Sequence, residues 1–246
     1  VSEKCAEKLK NQNLTVEILE KFGGSKLVGK EVYIPLAERK VKVLPAGFVD
    51  EEVATGVVNS VPAHAPYDLI ALEDLKKDRE TIKNFGLSPK EIEDIRPINL
   101  IRVEGHSEWP AADVSRKLHV LSQRDVDKLE KATQEVYNLE YYNGVLREIC
   151  GEFAGLSVPE GKARIFEKLR AMNLATTMAE NMTKDLEGRA VKEITCRCGS
   201  KVIVKVLGNQ WFLDYSNEEW KDEARRLLTK MEIYPETYRR SFEFYI

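Results

Sequence analysis

The chain has 246 residues, 43% of them hydrophobic and 32% charged, with a formal net charge of −3. That composition excludes a disordered or collagen-like chain and allows one large domain, or a domain and a half, with a buried core. It shows no global basic surplus of the kind that advertises a nucleic acid and no apolar run near the roughly 18–20 residues of a membrane span. Its four cysteines, Cys5, Cys150, Cys196 and Cys198, are too scattered for a disulfide framework, so a reducing cytoplasm is the expected setting.

Residues 2–10 and 15–21 have helix-like spacing and lead to a turn at Gly23-Gly24. Short strand patterns follow at 31–34, 40–44 and 55–61, punctuated by Pro35, Pro45, Gly47 and Pro62. Strands so short and so closely spaced point to a small barrel or curled sheet, not to a parallel wind of strands and helices. A helix is predicted over 67–79, with Leu69, Ile70, Leu72 and Leu75 on one side. Ser88-Pro89 reads as an N-cap followed by proline in the first turn, 99–103 as a strand and 111–118 as a short helix. Ser122 opens a long helix to about Tyr142, carrying Leu129, Ala132, Val136 and Leu139, and Pro159 starts another over 161–172. A polar, turn-rich stretch at 183–193 marks a boundary. Beyond it, strands are predicted at 201–207 and 210–214, then a helix capped near Ser216-Asn217 and reaching about Met231. The fold class expected is α+β. Val1 in place of Met, and an aromatic last stretch at 241–246, suggest a piece of a longer protein.

Chemistry concentrates in Ala54-Thr55-Gly56-Val57-Val58-Asn59-Ser60-Val61-Pro62-Ala63-His64-Ala65-Pro66-Tyr67-Asp68. The pattern is a strand running into a proline-bracketed turn that presents His64 and Asp68 at the start of a helix. From the residues alone, Asp68 is either a helix cap that complements the dipole or a carboxylate that binds a ligand. A turn histidine such as His64 is either a hydrogen-bonded structural residue or a participant in chemistry.

The run Thr55-Gly56-Val57-Val58, Ser60-Val61-Pro62-Ala63-His64-Ala65-Pro66-Tyr67-Asp68 resembles the core motif of the editing domain in archaeal and eukaryotic-type leucyl-tRNA synthetases. The resemblance extends upstream through Leu44-Pro45-Ala46-Gly47-Phe48-Val49-Asp50 and downstream through Glu104-Gly105-His106-Ser107-Glu108-Trp109-Pro110. It continues at Cys196-Arg197-Cys198-Gly199, at Gln210-Trp211-Phe212-Leu213-Asp214-Tyr215 and on to Tyr234-Pro235-Glu236, covering nearly the whole chain in family order. It implies a curled β-barrel editing domain with peripheral helices over residues 1–182. A small β linker and a helical arm, 183–246, then lead back toward the synthetic core. It also implies that Asp68 binds the α-ammonium of a wrongly attached amino acid and so holds the ester for attack by an ordered water. Thr55, Asn59, Val61 and His64 are expected near that substrate. The implied partners are the acceptor end of tRNA(Leu) and the remainder of the synthetase polypeptide. No cofactor is expected in this piece, whereas ATP and Mg serve the synthetic site of the parent enzyme, which joins leucine to tRNA.

Two positions depart from the family pattern: Ala54 stands where glycine is usual, and Asn59 where a bulkier apolar residue is common. The threonine-rich segment that forms the other face of the editing pocket is not in this sequence, and neither are the His-x-Gly-His and Lys-Met-Ser-Lys-Ser signatures of the synthetic site. This stretch alone is therefore expected to charge no tRNA and to hydrolyse esters feebly. The rival readings are the editing domain of an isoleucyl- or valyl-tRNA synthetase and a non-catalytic tRNA-binding module. Cys196 and Cys198 make half a zinc knuckle without a second pair, so no metal is expected. Gln210-Trp211-Phe212 reads as a buried aromatic strand.

Overall fold

A computed structural model describes residues 1–184 and 190–246 of the chain, which divide into two units, Val1–Lys205 and Val206–Ile246. In the first unit, α1 (Glu3–Asn11) begins at Ser2, whose Oγ accepts the Cys5 N–H at 3.0 Å. With Glu3 in its first turn and Lys8 and Lys10 in its last, the helix complements its own dipole. The helix predicted over 15–21 does not form: Leu19 is 87% exposed, and a short amphipathic segment with nothing to pack against does not hold a helix. β1 (Glu31–Ile34) and β2 (Arg39–Lys42) form an antiparallel hairpin that sets Glu31 opposite Lys42.

The helical part starts at α2 (Pro66–Lys77), with proline in its first turn. It is followed by α3 (Arg79–Asn84), capped by Asp78, and α4 (Pro89–Glu93), capped by Ser88. β3 (Ile101–Arg102) comes next, then α5 (Pro110–Lys117) and the long α6 (Val126–Asn143). β4 (Val145–Leu146) pairs antiparallel with β3, a partnership absent from the sequence reading. α7 (Val158–Ala171) opens with a capping box in which Ser157 and Glu160 satisfy each other's backbone N–H groups. β5 (Met182–Lys184) pairs with β6 (Ala190–Glu193) in the stretch expected to be an irregular boundary; the rest of that stretch, 185–189, lies outside the described residues.

Two apolar clusters hold this unit, and α2 contributes to both. Ile70 packs with Val114, Val120, Leu129, Ala132 and Val136, joining α2, α5 and α6. Leu75 packs with Ile82, Leu87 and Ile92 under α3 and α4. Each fully buried side chain of this size contributes about 1.5–3 kcal/mol, so α2 is fixed from both sides. Gly144, directly after α6, permits the close crossing with β3 and α7: a Cβ there would stand 2.2 Å from the Glu140 carbonyl oxygen and 2.6 Å from Ile101 Cγ2.

Several sequence expectations need correction. The described residues contain three two-stranded antiparallel sheets and no closed barrel. Residues 55–61 are not a strand: Ala54 (φ 47°) and Gly56 (φ 67°) lie in the left-handed region, which interrupts an extended run. Val57 and Val58 are 61% and 48% exposed, and no neighbouring strand is present among the described residues to pair with them. Residues 201–207 and 210–214 are not strands either; the pairing there is a single bridge between Thr195 and Lys201.

The second unit contains α8 (Glu218–Leu228), capped by Asn217, and α9 (Arg239–Tyr245). Arg239 donates to the carbonyls of Leu228 and Met231 at 2.7 and 3.0 Å, satisfying groups left open at the end of α8. Trp211 and Phe212, expected to be buried, are 98% and 88% exposed. No helix among the described residues is long and apolar enough to cross a membrane.

Candidate functional site

The turn before α2 is closed on itself. The Val61 carbonyl accepts the N–H groups of both His64 (2.9 Å) and Ala65 (3.0 Å). Ala65, in extended conformation, is the N-cap of α2, and its carbonyl accepts the Leu69 N–H at 3.0 Å. Asp68 is therefore inside the first helical turn and not at the cap. Its Oδ2 accepts the Val61 N–H at 2.6 Å, so the carboxylate reaches back across the turn. It is 5% exposed, and burial pushes its carboxyl above the ordinary aspartate value, opposed by the Val61 N–H and the Ser60 hydroxyl. The result is a desolvated carboxylate held by neutral donors. Such a group gains from any cation that reaches it, because pairing favours the ionised form that burial disfavours.

His64 is buried, and protein partners occupy both of its ring nitrogens. Nε2 accepts the Leu100 N–H at 2.8 Å, which requires that nitrogen to carry no proton. The ring proton therefore sits on Nδ1, which donates to Glu140 Oε1 at 2.6 Å. Both side chains are 7% exposed. The neighbouring carbonyl of Ala63 accepts the Ala111 N–H at 3.2 Å, tying the same turn to the start of α5.

The structure thus joins Val61, His64 and Asp68 in one hydrogen-bonded turn. It leaves Thr55 and Asn59 on an exposed stretch. Thr55 is engaged locally: its Oγ1 donates to the Val57 carbonyl at 2.8 Å and accepts the Val57 N–H at 3.2 Å. Two clefts lie elsewhere, one of about 190 Å³ lined by Trp109 and Arg116, the other of about 340 Å³ lined by Tyr215 and Trp220. Asp68 lines neither.

Sequence reasoning missed Glu140. It occupies the buried stripe of α6 with Leu129, Ala132 and Val136, a stripe that had been assigned to Leu139 at that level. A carboxylate at an apolar position of a helical repeat was the available signal, because a buried charge needs a partner.

Cys196 and Cys198 are both exposed, in a tight turn where the Cys198 N–H donates to Cys196 Sγ at 3.2 Å. Hydrogen bonds from Cys196 and Ser200 lower the Cys198 thiol to about 7. The described residues hold no cluster of three or more metal-type side chains, so this pair stands as two ligands of the four a structural zinc requires.

No family model matches the chain. Among curated proteins, leucine–tRNA ligase from Pyrococcus abyssi is 42% identical over 243 residues, covering 99% of this chain and 24% of its own length. The leucine–tRNA ligase of Archaeoglobus fulgidus is 43% identical over 244 residues, covering 98% of this chain and 25% of its own. The chain thus spans about a quarter of the length of the relatives it matches. Among solved structures, "GlLeuRS-CP1" is 25% identical with a TM-score of 0.63, over 73% of this chain and 69% of that one. The editing domain of the Plasmodium falciparum cytosolic leucyl-tRNA synthetase shares the fold, with 21% identity and a TM-score of 0.65 over 73% of this chain and 61% of that one. Along its whole length this sequence belongs with the leucyl-tRNA synthetases, and its fold belongs with their editing domains.

Proposed function

We propose that this chain is the proofreading part of a leucine–tRNA ligase, and that it hydrolyses the ester of amino acids wrongly attached to tRNA(Leu). The observation that carries the reading is Asp68: a buried carboxylate with neutral donors, held at the mouth of a helix by a turn that is itself fixed from two sides. An α-ammonium is the cation of the right size and charge for it. Pairing there would orient the ester carbonyl toward a bound water, and orientation of that kind removes several kcal/mol from a barrier. An aminoacyl ester is already activated, so no side chain has to serve as base.

Val61, Asn59 and Thr55 line the approach to Asp68 in this proposal, and His64 contributes by shaping the turn, since both its ring nitrogens are engaged. The stretch at 55–60 is mostly exposed and pairs with no strand among the described residues, which leaves it open toward a substrate. The functional boundary lies between 1–182 and the return segment 183–246, although the two units of the fold divide at Lys205. The acceptor end of tRNA(Leu) and the remainder of the synthetase are the partners. ATP and Mg act at the parent's synthetic site, and the enzyme works in the cytoplasm. The leucine–tRNA ligase relatives favour this reading over an isoleucyl or valyl counterpart.

The test is deacylation of isoleucyl- and norvalyl-tRNA(Leu) by the parent-length enzyme carrying this sequence, compared with its Asp68→Ala variant. A loss on the order of a hundredfold or more is expected, as for removal of a group that holds the reactive geometry. Equal rates in the two proteins would refute the assignment.

A further inference from the structure

We infer that Glu140 is a positioning residue for Asp68, acting through His64, whose ring it holds in the tautomer that ties the 61–65 turn to Leu100. The inference rests on the reading of Asp68 as the ammonium anchor and extends it to a residue on a different helix.

Three elements meet at the His64 ring. α6 supplies Glu140, the approach to β3 supplies the Leu100 N–H, and the turn supplies the imidazole. The ring can satisfy both neighbours in one state only, with its proton on Nδ1 facing the carboxylate and a bare Nε2 facing the amide. With the proton on Nε2, the imidazole would set N–H against N–H at Leu100 and leave two acceptors facing each other at Glu140. Both groups are 7% exposed, so water cannot repair that mismatch.

The consequence runs along the turn to Asp68. The His64 backbone N–H bonds to the Val61 carbonyl, and the Val61 N–H bonds to Asp68 Oδ2. A ring fixed in place therefore fixes the peptide that fixes the carboxylate. Leu100 is itself anchored, since its carbonyl accepts the Arg147 N–H at 2.9 Å. A chain of three hydrogen bonds thus runs from Glu140 to the His64 ring, from the His64 backbone to Val61, and from Val61 to Asp68, braced by a fourth at Leu100.

The experiment is solution NMR on the full chain with norvaline amide as the probe, which carries an α-ammonium and no scissile ester. Four proteins are compared: wild type, Glu140→Gln, the double variant His64→Leu with Glu140→Leu, and Asp68→Ala. In the wild type the His64 ring nitrogens should report a proton on Nδ1, and the Val61 amide should lie downfield. Glu140→Gln keeps an acceptor oxygen and should keep the tautomer, the Val61 shift and most of the probe affinity. The double variant removes both members of the buried pair together and leaves only the Leu100 N–H without its acceptor, at the stability cost of that one unsatisfied donor. It should nonetheless move the Val61 amide and weaken norvaline amide roughly tenfold or more, as expected for a displaced anchor. A stable double variant with an unchanged Val61 amide and unchanged affinity overturns the inference, since a packing role alone predicts that result. A wild-type ring protonated on Nε2 overturns it too, even where the double variant fails to fold. Asp68→Ala separates the two readings: if it binds the probe as wild type does, the anchor assignment fails, while the Val61 and His64 responses still decide the coupling.

Discussion

The two halves of the recognition motif differ sharply although they are adjacent in sequence. Residues 61–68 are enclosed, with the Val61 carbonyl taking two N–H groups and both His64 nitrogens bonded. Residues 54–60 are mostly exposed, carry two left-handed residues and form no ladder. The first half is built by packing that this chain supplies, through α2, α5 and α6. The second pairs with no strand among the described residues, and sheet pairing is a contact between segments that no single segment can provide. Local sequence and local environment therefore agree in one half only.

The largest expected contrast is in hydrogen exchange. The amides of His64, Ala65 and Leu100 should exchange at least about a hundredfold more slowly than those of Val58 and Asn59, as hydrogen-bonded and open segments do. Equal rates would erase the comparison. Next in size is Gly144→Ala. A Cβ at 2.2 Å from the Glu140 carbonyl and 2.6 Å from Ile101 Cγ2 forces the end of α6 away from β3, and a loss of roughly 3 kcal/mol is expected by chemical denaturation, typical of severe overpacking. The same variant should disturb the His64 ring, because Gly144 donates to the carbonyl of the residue that holds it.

Asp68→Asn tests the enclosed half by pH. Burial raises the Asp68 carboxyl, so the folded chain keeps that proton to a higher pH than the unfolded chain does. The cost of the charged form is absent at low pH and fully present once pH has risen through the raised value. Asp68→Asn should therefore melt higher than wild type at neutral pH, and the gain should shrink as pH falls into the carboxylate range. A gain that does not change between pH 4 and 8, on a thermal-melt series in steps of roughly one unit, would contradict the burial argument. The smallest expected effect is Ala54→Gly. Relief of the left-handed strain is worth about 1–2 kcal/mol and the added unfolded-state freedom removes about 0.5–1, leaving a stabilisation of at most about 1.5 kcal/mol. No change in midpoint would mean that φ at Ala54 relaxes at little cost.

Much of the helical architecture was legible in the sequence because its signals are local: Ser88 and Asn217 cap where a hydroxyl or amide side chain precedes a helical run. The strands β1 and β2 were legible as short runs punctuated by proline, but their pairing was not. The turn holding His64 and Asp68 was legible through its proline bracketing. What escaped was relational. The Glu140 partnership spans 76 positions and has no local mark beyond a carboxylate on an apolar stripe. The run at 55–61 has the composition of a strand, but composition does not supply a neighbour. Trp211 and Phe212 look like core residues, and they are exposed because the described residues put nothing over them.

The contact between Ser2 and the exposed loop fixes where the start of the described chain lies. The Ser2 N–H donates to the Thr55 carbonyl at 2.8 Å, its Oγ to the Glu51 carbonyl at 2.7 Å, and a Cβ at Gly56 would stand 2.7 Å from Ser2 Cβ. A polypeptide joined ahead of Val1 would emerge beside Thr55, within a few residues' reach at about 3.3–3.6 Å each. Tethered there, it would search a small volume at millimolar effective concentration, on the order of what short flexible linkers achieve. The same peptide added free in solution would have to match that concentration to occupy the loop equally well.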